Sequence, residues 1–171
     1  MELWDLYTPD GTFTGKTIDR HGSERIPQGL YHISCEVMVR HVDGDILLMK
    51  RAHSKKEYGG FYENTAGGSA QSGETPEQCV VRELKEETGL TAGRLELVDR
   101  RLNEKYKSIF YSFVTTIGCD KNSVVLQPGE TEGYRWISPD EYNDFLNSGK
   151  DIDLLTERYM DYYIKNGLIR R

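Results

Sequence analysis

The chain has 171 residues, 37% of them hydrophobic and 11% aromatic, with 22 basic and 28 acidic side chains giving a net charge of −6. This length suits one domain, residues 1–171, with a core of its own. The acidic balance excludes a nucleic-acid surface, which depends on a basic patch, and no apolar run approaches the ~20 residues of a membrane-spanning helix.

Residues 2–18 predict a β-hairpin, with Trp4, Leu6 and Tyr7 on one arm, Pro9-Asp10-Gly11 at the turn, and Phe13 and Thr14 on the other. The polar stretch 19–29 reads as a loop crossing to the main sheet, so 1–29 forms an N-terminal extension. Strands follow at 31–40, where Ile33, Cys35, Val37 and Val39 alternate with His32, Ser34, Glu36 and Met38, and at 46–49 after an Asp43-Gly44 turn. A strand at 61–66 leads into a Gly67-Gly68 loop.

Thr75, Pro76 and Gln78 are a helix start: a capping side chain, a proline suited to the first turn, and the reciprocal partner of a capping box. Gly89 ends that helix by accepting the left-handed conformation. Beyond it, 95–102, 108–117 and 131–137 read as strands. Ser138-Pro139-Asp140-Glu141 opens a helix ending near Gly149, and a last helix over 153–166 carries Leu155, Tyr159, Tyr162 and Tyr163 inward, with Gly167 as its stop.

On the first helix Val80, Val81 and Leu84 form the apolar stripe, while Glu83, Glu86 and Glu87, at i, i+3 and i+4, share another face. Like charges at that spacing repel by a few tenths of a kcal/mol per pair. Such a face is either solvated or an oxygen-rich seat for a hard divalent cation, Mg²⁺ or Mn²⁺. Cys79 reads as a small packed residue rather than a nucleophile. With Cys35 and Cys119 it makes three widely spaced cysteines that fit no zinc motif. The odd count, and the lack of a leader in MELWDLYTPD, point to reduced thiols and a cytoplasmic protein.

The wider pattern decides between the two readings of the acidic face. Gly68, five residues, Glu74, seven residues, Arg82-Glu83-Leu84, Lys85, Glu86-Glu87, Thr88 and Gly89-Leu90 resemble the Nudix box at all nine fixed positions across 23 residues. The resemblance implies an α/β/α sandwich with a mixed sheet, in which 67–90 is a loop–helix–loop. It also implies divalent-metal-dependent hydrolysis of a small-molecule diphosphate, a nucleoside diphosphate linked to another moiety. Carried over by position, Glu83, Glu86 and Glu87 with the Gly67 carbonyl are the expected metal ligands. Glu74 and Arg82 pair to fix the loop against the helix, and Gly68 and Gly89 are structural.

A base must also serve the attacking water; Glu83, Glu130 and Glu132 are the candidates, the last two in the loop PGETEGYRW. Upstream, Lys50-Arg51-Ala52-His53-Ser54-Lys55-Lys56 with Tyr58, Gly60 and Phe61 resembles isopentenyl diphosphate isomerase, a relative of the same fold. By that likeness Arg51 and Lys55 contact the diphosphate, and His32 matches a metal-binding histidine. Gly67 and Ser69 stand where the isomerase has its catalytic cysteine and a metal-binding histidine, and 108–117 holds no acid. A hydrolase in an isomerase-like branch is therefore the expectation. An isomerase and a non-catalytic nucleotide-binding module are the alternatives. Tyr58, Phe61, Tyr62 and Tyr106 are open between base stacking and core, and the aromatic-rich last helix suits a homodimer.

Overall fold

The computed structural model describes residues 2–148 and 153–169, the side chains of 153–156 excepted. The chain starts as a two-stranded ribbon, β1 (Leu3–Tyr7) against β2 (Phe13–Asp19), antiparallel and bulged at Leu6/Tyr7. It is tied down rather than free. A Tyr7–Tyr31 bridge joins it to the main sheet, Trp4 stacks on His32 with ring centroids 3.9 Å apart, and Asp5 accepts from the Ser72 hydroxyl at 2.6 Å and the Gly73 N–H at 2.9 Å.

The main sheet is mixed. β3 (His32–His41) runs parallel to β8 (Ser108–Ile117), which pairs antiparallel with β7 (Leu95–Asn103). β3 and β4 (Ile46–Arg51) share one pairing, Arg40 with Ile46, and then diverge. β4 continues against β5 (Tyr62–Glu63) and β9 (Thr131–Ile137), whereas β3 continues against β6 (Thr65–Ser69). The Asp43-Gly44 turn therefore opens a fork rather than closing a long hairpin.

The expected single strand over 61–66 is two strands parted at Asn64. That buried amide donates to the hydroxyls of Tyr142 at 2.7 Å and Tyr163 at 2.5 Å, so its side chain is drawn out of the ladder towards the helices. Gly67 and Gly68 are not loop residues either. They lie in β6 opposite Glu36 and Cys35, where absent side chains let two backbones and a carboxylate come close.

Helices cover both faces. α1 (Pro76–Thr88), capped by the Thr75/Gln78 box and closed by Gly89 at φ 70°, buries Cys79, Val80 and Leu84 against Ile33, Cys35, Val37 and Phe113. Val81 departs from the expected stripe: one position past Val80 it has rotated about 100° off the core line, and it is 41% exposed. On the other face α2 (Pro139–Leu146) and α3 (Asp153–Lys165) bring Tyr142, Tyr159, Tyr162 and Tyr163 onto Met38, Ile46, Leu48 and Val114. The expected end of α2 near Gly149 and the Leu155 side chain lie outside the described residues. The fold is an α/β sandwich on a mixed sheet, and no described helix is long and apolar enough to cross a membrane.

Candidate active site

Two adjoining cavities meet at the β6 glycines. The helix-side compartment, about 300 Å³, is lined by Arg82, Glu83, Glu86 and Glu87 of α1 together with Glu2, Gln71 and Gln127. The sheet-side compartment, about 340 Å³, is lined by Ser34, Glu36, Arg51, Glu63, Thr65 and Phe110 among others. Arg20, Lys55, Gly67, Gly68, Glu87 and Glu130 border both.

The acidic wall is organised by Arg82. Its Nε and Nη2 donate to the two Glu74 oxygens at 2.7 and 2.9 Å, its Nη1 to Glu83 at 2.7 Å and Glu86 at 3.3 Å, and Nη2 also reaches the Ser69 carbonyl at 3.2 Å. Glu74 additionally accepts the Gln71 N–H at 2.8 Å, which holds the loop before α1 onto the helix. The bonds from Arg82 hold the Glu74 carboxyl below its usual pKa. Glu83 lies against Gly68, and Glu87 accepts the Gly67 N–H at 3.3 Å. Burial, followed by the negative charges of Glu63 and Glu83, pushes the Glu87 pKa up to about 8.

Three carboxylates and a backbone carbonyl are hard oxygen donors of the kind Mg²⁺ and Mn²⁺ take. The raised proton affinity of Glu87 reflects burial first and neighbouring negative charge second, and a bound cation would offset both. Among the described residues no three acidic, histidine or cysteine side chains converge as a ready-made cage. Glu83 and Glu86 are turned onto the Arg82 guanidinium, which takes one oxygen of each. The donor set fits a divalent ion once those side chains swing from Arg82.

The cationic border is partly neutralised by ion pairs. Lys55 is paired with Glu130, and Arg51 donates to both Glu63 oxygens at 3.0 and 3.1 Å. Glu132 faces elsewhere: it pairs with Lys50 at 2.7 Å and the His53 ring at 2.6 Å, contacts that lower its pKa to about 2, and it lines neither cavity. His32 is also absent from both cavity walls; it is buried beneath Trp4, its Nδ1 unpartnered. Tyr58, Phe61, Tyr62 and Tyr106 line neither compartment.

Arg20, Glu36 and Glu63 were not singled out as site residues from the sequence. Glu36 accepts from the Ser112 hydroxyl at 2.7 Å and from Arg158 of α3 at 2.5 Å, and the Arg158 guanidinium lies 3.9 Å over the Phe110 ring. Burial raises the Glu36 pKa, and Arg158 and Ser112 oppose that rise. An acid in the middle of a strand whose other central positions are apolar or small is the signal that could have found it. Arg20, held by Glu2 at 2.9 and 3.2 Å and set over Trp4, sits in a turn-rich stretch that carries no such signal.

Known proteins bear on this geometry in three ways. An uncharacterised Nudix hydrolase of Listeria innocua is 30% identical over 156 residues, covering 89% of each chain. An isopentenyl-diphosphate Delta-isomerase of Corynebacterium diphtheriae is 41% identical over 64 residues only, 37% of this chain and 35% of that one. The crystal structure of DR0079 from Deinococcus radiodurans superposes with a TM-score of 0.68 at 18% identity, covering 92% and 99% of the two chains. With the NUDIX domain pattern matching residues 30–157, the chain belongs to the Nudix family and is a Nudix hydrolase.

Proposed function

We propose that the protein is a Mg²⁺- or Mn²⁺-dependent pyrophosphohydrolase that cleaves the diphosphate of a nucleoside diphosphate linked to another moiety. The observation that carries this reading is the shared border of the two cavities, which brings Glu87 of α1 together with Arg20, Lys55 and the β6 glycines, beside Glu83 and Glu86 of the helix-side compartment. A diphosphate there would have cations on one side, an acidic metal seat on the other, and a compartment for each substituent. The nucleoside half rests on the resemblance to the family, and the three free thiols suit the reducing cytoplasm in which such a substrate occurs.

Glu83, Glu86, Glu87 and the Gly67 carbonyl would hold the cation, which when bound neutralises phosphoryl charge and acidifies a water. Arg20 and Lys55 bind and orient the diphosphate through charge-assisted hydrogen bonds. Glu130, bordering both compartments, accepts the proton of the water that attacks phosphorus; the anhydride P–O bond breaks and the leaving phosphate departs towards the cations. Glu132 has no part in this step, because it lines neither compartment.

The test is turnover of a panel of nucleoside diphosphate derivatives with Mg²⁺ or Mn²⁺, followed as nucleotide release. Glu86→Gln and Glu87→Gln should each lower the rate by roughly 10²-fold or more, as loss of a transition-state electrostatic group does, with the fold retained. Turnover unchanged in both variants refutes the metal seat. Conversion of isopentenyl to dimethylallyl diphosphate would instead support an isomerase, a reading weakened by Gly67 and Ser69 at the positions of its cysteine and histidine.

A further inference from the structure

The sheet-side compartment differs in chemistry from the helix-side one. Its distinctive lining is Ser34, Cys35, Glu36, Arg51, Glu63, Thr65, Ser69 and Phe110, which supplies two acids, one cation, three hydroxyl residues, a thiol and one ring. Neither acid is left to itself. Arg158 holds Glu36 at 2.5 Å, and Arg51 holds Glu63 at 3.0 Å, so each carboxylate arrives with a guanidinium of its own.

Three ligand classes can be weighed against that lining. A hydrocarbon chain would cover buried carboxylates without offering them a donor, which is costly for charged groups. An ammonium would find both acids already neutralised by guanidinium partners. An uncharged hydroxylated group fits, because each hydroxyl donates to a carboxylate and accepts from a serine or threonine. Glu36 has acceptor capacity left, since its two oxygens take one donor each, from Ser112 and Arg158, out of about four lone-pair sites. The Phe110 ring, backed by Arg158 at 3.9 Å, offers an apolar face for the C–H side of a ring. A volume near 340 Å³ lies at the small end for ligand pockets and admits one ring-sized group.

We propose that the sheet-side compartment is a subsite for an uncharged, sugar-like group carried on the diphosphate, with Glu36 as its hydroxyl acceptor and specificity-determining residue. Its placement rests on the hydrolase reading in one respect: the diphosphate spans the Arg20–Lys55 border. A site built to bond a hydroxyl rejects an analogue lacking it far more strongly than an apolar pocket rejects an extra methylene.

The experiment uses the four common nucleosides, each as the diphosphate pentose and as the diphosphate n-pentyl ester, so that base contacts cancel within a pair. Two readouts are taken: kcat/KM with Mg²⁺, and Kd by titration calorimetry in EDTA. The wild type should favour the pentose at least 30-fold in kcat/KM in its best series and at least 10-fold in Kd. Glu36→Gln should cut that preference tenfold or more while values for the pentyl ester stay within twofold. Should Glu36→Gln fail to fold, Ser34→Ala, a milder change in the same wall, should cut the preference about threefold. A wild-type preference below threefold, or a preference equal in wild type and variant, overturns the subsite even if both esters are hydrolysed. A pentose preference in EDTA without hydrolysis of either ester supports the subsite and overturns the proposed cleavage of such nucleoside diphosphate derivatives. Neither binding nor turnover in any series overturns both.

Discussion

Gly67 and Gly68 are neighbours in sequence, yet adding one methyl to each should damage different properties. A Cβ on Gly67 would lie 2.7 Å from the Glu36 Cα and closer still to the Cys35 carbonyl oxygen. Both are backbone atoms of the central strand, so relief requires β3 and β6 to part by roughly 0.5–1 Å in a close-packed sheet. Overpacking of that kind costs about 1–3 kcal/mol and sometimes more. At the upper value the melting temperature should fall by about 6–12 °C, at roughly 2–4 °C per kcal/mol for a chain of this size. A Cβ on Gly68 meets only the end of the Glu83 side chain, with Cδ at 2.5 Å and Oε2 at 2.8 Å. That carboxylate can rotate aside for about 0.5–1.5 kcal/mol, so Gly68→Ala should melt within about 6 °C of wild type. The displaced group is one of the metal donors proposed above, and a 1 Å misplacement can cost on the order of 10²-fold in rate. Thermal melts and turnover of both variants check this. Equal losses of melting temperature, or wild-type turnover by Gly68→Ala, would refute the reasoning.

Leu84→Ala should destabilise by about 2–5 kcal/mol, the range for emptying a fully buried aliphatic site, as read from denaturant midpoints at constant slope. Saturating Mg²⁺ should raise the melting temperature, since ligand at about 100 times Kd adds roughly 2.7 kcal/mol; Glu87→Gln should lose most of that rise and, with repulsion relieved, melt higher than wild type in EDTA. Burial depresses the His32 pKa to about 4 from its ordinary 6.5. The unfolded chain therefore takes up a proton that the folded chain refuses between those values. Stability present above pH 6.5 should fall by up to about 3 kcal/mol towards pH 4, and His32→Phe, which keeps the stack on Trp4, should flatten that part of the profile.

The α1 segment was the most legible part of the chain, because cap and stop are local and act through the helix's own backbone, whereas the stripe was read one residue too wide at Val81. The α1 carboxylates were legible for the same reason, since their clustering follows from 3.6 residues per turn. The break at Asn64 was not, because it depends on tyrosines 78 and 99 positions away. The partners of Arg51 and Lys55, Glu63 and Glu130, were invisible in one dimension, because each pair forms only when the segments carrying it fold together. Glu130 and Glu132 could not be told apart in sequence; their difference arises from Lys55 lying on one side of the loop and Lys50 with His53 on the other. Arg20 reaches the cavities only because the N-terminal ribbon folds over β3, a tertiary placement that no local pattern encodes.

The bond from Arg158 to Glu36 joins residues 122 positions apart, as does that from Arg40 to Tyr162. A chain emerging from its amino end thus makes the acid of β3 long before the guanidinium that lets it be sequestered. Until α3 docks, closing the sheet over that unpaired anion is unfavourable by several kcal/mol, so water keeps access to the half-made pocket. Loop closure of that length is slow relative to local helix formation. A polypeptide stopped short of Arg158 should therefore leave Glu36 without its guanidinium partner and the sheet-side compartment unfinished.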